Sequence, residues 1–199
     1  NNSSGKIEMT GGKITSSAAG IENRGNGYIY MSEGIIESQM IGISNKNNGT
    51  VEITGGKIYS IKGPGSYTGT GVKNNSTGTI IVGTKGDGIV SESEPYIKGE
   101  TSNSSSNGYG IYNTEGKLYY YDGKIEGTTK AVYDTITERE ENTELNYNED
   151  QTVLTLSTEI TPIAQIGDIT YDTIQAAIDA CGTEQTTIKL LRNVTYTSQ

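Results

Sequence analysis

Apolar and polar residues alternate in short bursts along this chain, and each burst opens on a glycine. GKIEM from Gly5, GYIYM from Gly27, GTVEI from Gly49, GTIIV from Gly78 and GKLYY from Gly116 share one pattern. Their third positions are Ile7, Ile29, Val51, Ile80 and Leu118, and their fifth positions are Met9, Met31, Ile53, Val82 and Tyr120. A period of two predicts a β-strand with one face inward. A glycine follows in each copy (Gly12, Gly34, Gly56, Gly88, Gly123), which predicts a turn, and then a second apolar column: Ile14, Ile36, Ile58, Val90 and Ile125. A third column sets a small residue before each apolar one, at Gly20-Ile21, Gly42-Ile43, Gly71-Val72, Gly110-Ile111 and Ala131-Val132. Two residues further on stand Asn23, Asn45, Asn74, Asn113 and Asp134. The first copies repeat every 22 residues, from Gly5 to Gly27 to Gly49.

A period of this length signals stacked units in place of an ordinary globular core. About five copies of three short strands describe a triangular coil. Stacking at the strand spacing of about 4.8 Å would place each side chain on its equivalent in the next copy. Ile ladders then fill the interior, and Asn23, Asn45, Asn74 and Asn113 form an amide ladder that Asp134 closes. An alternative reading has these asparagines only supplying turn conformations near Asn26-Gly27 and Asn48-Gly49.

These columns resemble the parallel β-helix repeats of bacterial cell-surface proteins, a fold shared with pectate-lyase-like enzymes. The resemblance covers residues 5–134 and implies an all-β, right-handed parallel β-helix; the handedness comes from the resemblance and not from the period.

The pattern is broken in two copies. Between the second and third columns the spacing is seven residues in three copies, fourteen from Ile58 to Val72 and twenty-one from Val90 to Ile111. Two neighbouring coils are therefore expected to carry loops at one corner, 59–71 and 91–110. Insertions into a solenoid often mark its binding side, and otherwise are tolerated decoration. Tyr67, Tyr96, Tyr109, Glu92 and Glu94 are the candidate ligand-binding residues, with Tyr112 and Tyr133 in adjacent coils. Tyrosine rings offer flat faces to sugar rings, and carboxylates and hydroxyls bind their edges. The extra TKGDG near Asp87 is not a calcium repeat, because the acidic position does not recur.

After Asp134 the period stops. Residues 135–162 predict a β-hairpin, ELNY and TVLTLST around Asn148-Glu149-Asp150, serving as linker or end cap. Residues 163–199 predict a small α+β module: strands around Gly167-Asp168, a helix N-capped by Asp172 with Ile174, Ala177, Ile178 and Cys181 on one face, a stop at Gly182 and a buried strand TIKLL. The segment is similar to a module of large Gram-positive surface proteins, "IG…Y.T…AI.A" leading to "TI.LL.DVT", with Asn193 at the usual Asp. There the helix caps an open coil end. By that likeness the module begins a second β-helix; alternatively it caps the first.

Composition narrows the chemistry. Among 199 residues apolar types make up 32%, with 14 Tyr and no Phe, Trp or His, which suits thin coils. A net charge of −9 and a pI near 4.6 argue against nucleic acid as a partner, and no apolar run is long enough for membrane insertion. No cofactor or metal is expected. Without His, a Ser or Cys nucleophile lacks its usual base, and Cys181 falls on an apolar stripe. Two carboxylates on one outward column, Glu8 and Glu52, would lie about 9.6 Å apart, two strand spacings, which borders on an inverting glycosidase pair.

The reading is a non-catalytic, secreted or wall-attached module presenting a rigid rod, with flanking repeats of a longer chain as neighbours. A glycan-binding module using the two corner loops, directed at a host or environmental glycan or surface protein, is the first alternative. A polysaccharide lyase or hydrolase is the second.

Overall fold

A computed structural model of the chain describes residues 1–61, 69–87, 90–91, 93–101, 107–158, 162–182 and 185–191. Among the described residues the protein is all-β apart from one short helix, and its sheets are curled and largely parallel, an arrangement compatible with a β-solenoid. It divides into two compact units, Asn1–Thr158 and Glu159–Gln199.

Strands of the first unit are β1 (Lys6–Ser16), β2 (Ala19–Asn23), β3 (Tyr28–Ser38), β4 (Ile41–Asn45), β5 (Thr50–Ile53), β6 (Lys57–Ser60), β7 (Thr70–Asn74), β8 (Thr79–Val82), β9 (Tyr96–Gly99), β10 (Tyr109–Asn113), β11 (Lys117–Tyr120), β12 (Lys124–Gly127) and β13 (Lys130–Tyr133). They form three parallel stacks. The first runs β1, β3, β5, β8, β11 and sets Ile7 beside Ile29, Val51, Ile80 and Leu118. The second uses the later halves of β1 and β3, then β6, β9 and β12. The third runs β2, β4, β7, β10, β13. Because β1 and β3 pass unbroken through the first turn, the first two stacks are one curled sheet. The turn itself needs glycine: Gly12, Gly34, Gly56 and Gly123 all have φ between 78° and 95°.

The inward columns of all three stacks meet in one core. Ile29, Met31, Ile36, Ile43, Ile53 and Ile58 have no exposed surface, and each such side chain contributes about 1.5–3 kcal/mol by leaving water. The small-residue column follows from crowding between neighbouring strands. A Cβ on Gly42 would lie 2.2 Å from Ile58 Cγ2 and 2.5 Å from the Gly71 carbonyl oxygen. Alanine enters this column only at Ala131, on β13, where the stack ends.

One column departs from the expected alignment. Ile97 of β9, and not Val90, stands between Ile58 and Ile125. The spacings become regular with this correction: Ile58 to Val72 and Ile97 to Ile111 are both fourteen, and the remaining excess lies between Val82 and Ile97, fifteen against five elsewhere. YIKG is thus core strand, and the extra residues of the fourth repeat divide between 83–95 and 100–108. Val90 sits in the first of these connections, partly buried against the core.

The aperiodic stretch up to Thr158 belongs to the first unit. β14 (Glu138–Arg139) pairs parallel to β11. β15 (Glu144–Tyr147) and β16 (Val153–Ser157) form the hairpin, and β16 pairs antiparallel to β12. Tyr120, at the inward end of its column, donates its hydroxyl to the carbonyls of Gly123 (2.6 Å) and Leu154 (3.3 Å), fastening β16 to the stack.

In the second unit β17 (Ala164–Ile166) pairs antiparallel with β18 (Ile169–Tyr171) and, later, β19 (Lys189–Leu190), around helix α1 (Ile174–Asp179). Thr173 is the N-cap in place of Asp172: its hydroxyl accepts from Ala176 N at 3.0 Å. Ala177 is buried as expected, but Ile178 is exposed, and the TIKLL strand is exposed at Leu190 and Leu191 and not buried.

Candidate functional site

Every third-stack strand but the last ends on an inward asparagine, and these are in contact. Asn23 Nδ2 donates to Asn45 Oδ1 (3.0 Å), Asn45 to Asn74 (3.1 Å) and Asn74 to Asn113 (2.8 Å). Each also donates to the carbonyl of the glycine that opens the following strand, Gly27, Gly49 and Gly78. All four are fully buried and none has a positive φ, so among the two readings of these residues the ladder describes the contacts. Asp134 does not close it. That residue is exposed with φ 84°, and Asn113 donates to the Gly116 carbonyl. Asn1 repeats the glycine contact of this pattern one step earlier, which sequence reasoning missed, but its amide does not reach Asn23 Oδ1, which is buried without a partner among the described residues. Asn1 Nδ2 donates to Gly5 O (2.5 Å) and its carbonyl accepts from Arg24 N (2.7 Å), as the Asn23 carbonyl does from Lys46 N (2.9 Å). The signal was its position one 22-residue period before Asn23.

Outward columns carry the tyrosines. Three clusters repeat one arrangement in which a phenol donates to a glutamate and a lysine lies over the ring. Tyr28 donates to Glu52, and Lys6 stands 5.8 Å from the Tyr28 ring and 5.2 Å from Tyr30. Tyr96 donates to Glu126, which also pairs with Lys124 at 2.5 Å, and Lys124 lies 5.6 Å from the Tyr96 ring. Tyr121 donates to Glu138 at 3.2 Å, with Lys85 paired to that carboxylate at 2.5 Å and 5.9 Å from the ring. Desolvation, then the adjacent carboxylate, pushes the Tyr28, Tyr96 and Tyr121 phenols up. Burial raises Glu126, but Lys124, Tyr96 and Lys98 together outweigh it and hold this carboxyl below the usual range. These groups satisfy one another.

Of the candidate binding residues from the corner loops, the described tyrosines fall on different stacks. Tyr67 and Glu92 lie outside the described residues. Tyr96 is the first residue of β9 and meets Tyr59 edge-on at 5.4 Å. Glu94 pairs with Lys57 at 3.3 Å beside an open hollow of about 390 Å³. Tyr109 is on the third stack, buried, with Tyr112 and Tyr133 each 5.3 Å away. Of the two carboxylates on one outward column, Glu8 pairs with Lys6 at 3.1 Å and Glu52 accepts from Tyr28, with Tyr30 between them in the register. Cys181 is half-buried, its thiol directed to the Ala177 carbonyl at 3.3 Å. Among the described residues no group of three or more His, Cys, Asp or Glu could hold a metal ion, and no helix is long and apolar enough to cross a membrane.

Comparison of the chain with models of known protein families, with curated proteins and with solved structures finds no match.

Proposed function

We propose that this chain is a structural module of a secreted or wall-attached bacterial surface protein, a right-handed parallel β-helix of about five coils acting as a rigid rod. The observation that carries the reading is register. Equivalent residues stand beside one another in all three stacks, and the register is kept across the repeats that carry insertions. Such a core makes stability a sum over neighbour contacts, so length can grow without redesign. Three outward tyrosine clusters support the same reading, because their polar groups are already committed to one another. Catalysis through Glu8 and Glu52 has less support, since Lys6 and Tyr28 occupy them.

Deleting one whole coil, Gly27–Asn48, tests the rod. The deletion brings Ile7 beside Val51 and Asn23 beside Asn74. The product should fold cooperatively, be less stable, and be shorter by about 4.8 Å in small-angle scattering. A product that is unfolded, or unchanged in stability, refutes an additive rod. Surface placement is tested separately by antibody labelling of intact against permeabilised cells of the source bacterium; signal only after permeabilisation refutes it.

A further inference from the structure

We infer that the outward face of β10 and β13 is a binding site for a pyranose ring of a neutral glycan, with Tyr133 as its stacking platform. In the three other tyrosine clusters a glutamate takes a phenol and a lysine covers a ring. Here no described group accepts from or donates to the hydroxyls of Tyr109, Tyr112 and Tyr133, although the rings pack together. Tyr112 and Tyr133 are direct neighbours in the register, stacked at 4.7 Å with planes 16° apart. On the other side of Tyr112, Lys73 is its neighbour on β7, with Nζ 5.3 Å from the ring centroid. The outward column therefore reads Lys73, Tyr112, Tyr133 and ends there, because β13 is the last strand of its stack. Tyr133 is 42% exposed.

An exposed phenol face at the end of a ring stack is electron-rich and flat. It suits the C–H face of a pyranose, which carries the complementary partial charge. The Tyr112 and Tyr133 hydroxyls, each able to donate and accept, match sugar hydroxyls, which need both, while the buried Tyr109 backs their rings. Lys73 already places a positive charge on the Tyr112 ring, which disfavours a cationic ligand beside it. A net charge of −9 disfavours a polyanionic one. The inference is independent of the rod reading: a rod can carry such a site or lack it.

Saturation-transfer NMR on the whole chain against neutral gluco-, manno-, galacto- and N-acetylglucosamine oligosaccharides tests it. Binding of at least one series is expected below about 10 mM. Tyr133→Ala should weaken it at least about tenfold, which corresponds to losing one ring-stacking contact of ordinary size. Tyr133→Phe keeps the ring, folds as the parent does, and should weaken binding only a few-fold, about the worth of a single neutral hydrogen bond. Tyr59→Ala, on another face, should leave binding unchanged. The proposal is overturned by no binding to any neutral series, by binding that survives Tyr133→Ala, by equal loss in Tyr59→Ala, or by binding confined to acidic glycans or basic peptides.

Discussion

Asn45 occupies the middle of the amide ladder, and replacing it separates the contribution of side-chain stacking from that of the strands. Its amide donates to Gly49 O at 2.8 Å and to Asn74 Oδ1 at 3.1 Å, and its Oδ1 accepts from Asn23 Nδ2 at 3.0 Å. Asn45→Ala removes all three hydrogen bonds. The damage to their partners is unequal. Asn23 Nδ2 still reaches Gly27 O, and Gly49 O still accepts from Thr79 N, but Asn74 Oδ1 loses the donor it has among the described residues. Three bonds at about 1 kcal/mol net, plus about 1–3 kcal/mol for a buried orphan acceptor, predict a loss of about 4–6 kcal/mol. Asn113→Ala, at the end of the ladder, removes two bonds and orphans no side-chain acceptor, because Asn74 Nδ2 keeps Gly78 O. Its loss should be about 2 kcal/mol. Asn45→Asp keeps the shape but places a carboxylate against Asn74 Oδ1, so it should be worst at neutral pH and partly rescued in acid, where the protonated form can donate again. Urea denaturation followed by far-ultraviolet circular dichroism measures all three variants. Equal costs at Asn45 and Asn113, or a cost below about 1 kcal/mol at Asn45, would refute cooperative ladder stabilisation and leave these residues as strand ends only.

Three further outcomes follow from the same packing. Gly42→Ala should cost about 2–3 kcal/mol in the same assay, because its Cβ meets a backbone oxygen as well as Ile58, and no rotamer change relieves that; a neutral result would show that the stacks can slide apart. Tyr120→Phe should cost about 1–2 kcal/mol and release the β15–β16 hairpin first, read as faster amide exchange in β16 than in β9. Glu126 and Glu22 are held below their ordinary 4.5, Glu22 chiefly by Lys46, so the stability they contribute is present above about pH 4.5 and is lost as pH falls through their lower folded values. Asp122 acts in the opposite sense: desolvation raises its carboxyl, which favours the folded state in acid. Glu126→Gln should therefore flatten the acid limb of the urea midpoint against pH, and a limb unchanged in slope would count against the Lys124–Glu126–Tyr96 cluster as its source.

Inward columns were legible because a strand period of two inside a repeat of 22 leaves little freedom: Ile7, Ile29 and Val51 can stack only one way. The fourth repeat was misread because Gly88-Ile89-Val90 imitates the glycine-to-isoleucine step of Gly12-Lys13-Ile14. Comparison of YIKGET at Tyr96 with KIEGTT at Lys124 would have placed β9, since both put a glycine at the strand end, where a Cβ would strike a backbone carbonyl, Tyr109 O at 1.8 Å and Lys130 O at 1.9 Å. The tyrosine–glutamate pairs were not legible, although the proximity of Tyr109, Tyr112 and Tyr133 was. Tyr28 and Glu52, or Tyr96 and Glu126, are 24 and 30 residues apart and become neighbours only through strand register.

Register therefore does more here than build the core. Once the ladder aligns the strands, every outward column can be written down from the sequence: Lys13, Ile35, Lys57, Tyr96, Lys124 on one face, and Glu22, Ser44, Lys73, Tyr112, Tyr133 on another. In the first, lysine follows tyrosine and covers its ring, while glutamate on the adjoining column binds its hydroxyl. In the second, lysine precedes the tyrosines and no further strand of that sheet follows, and Tyr133 stays 42% exposed. Similar residues thus yield a closed surface or a more open one according to their order along the stack.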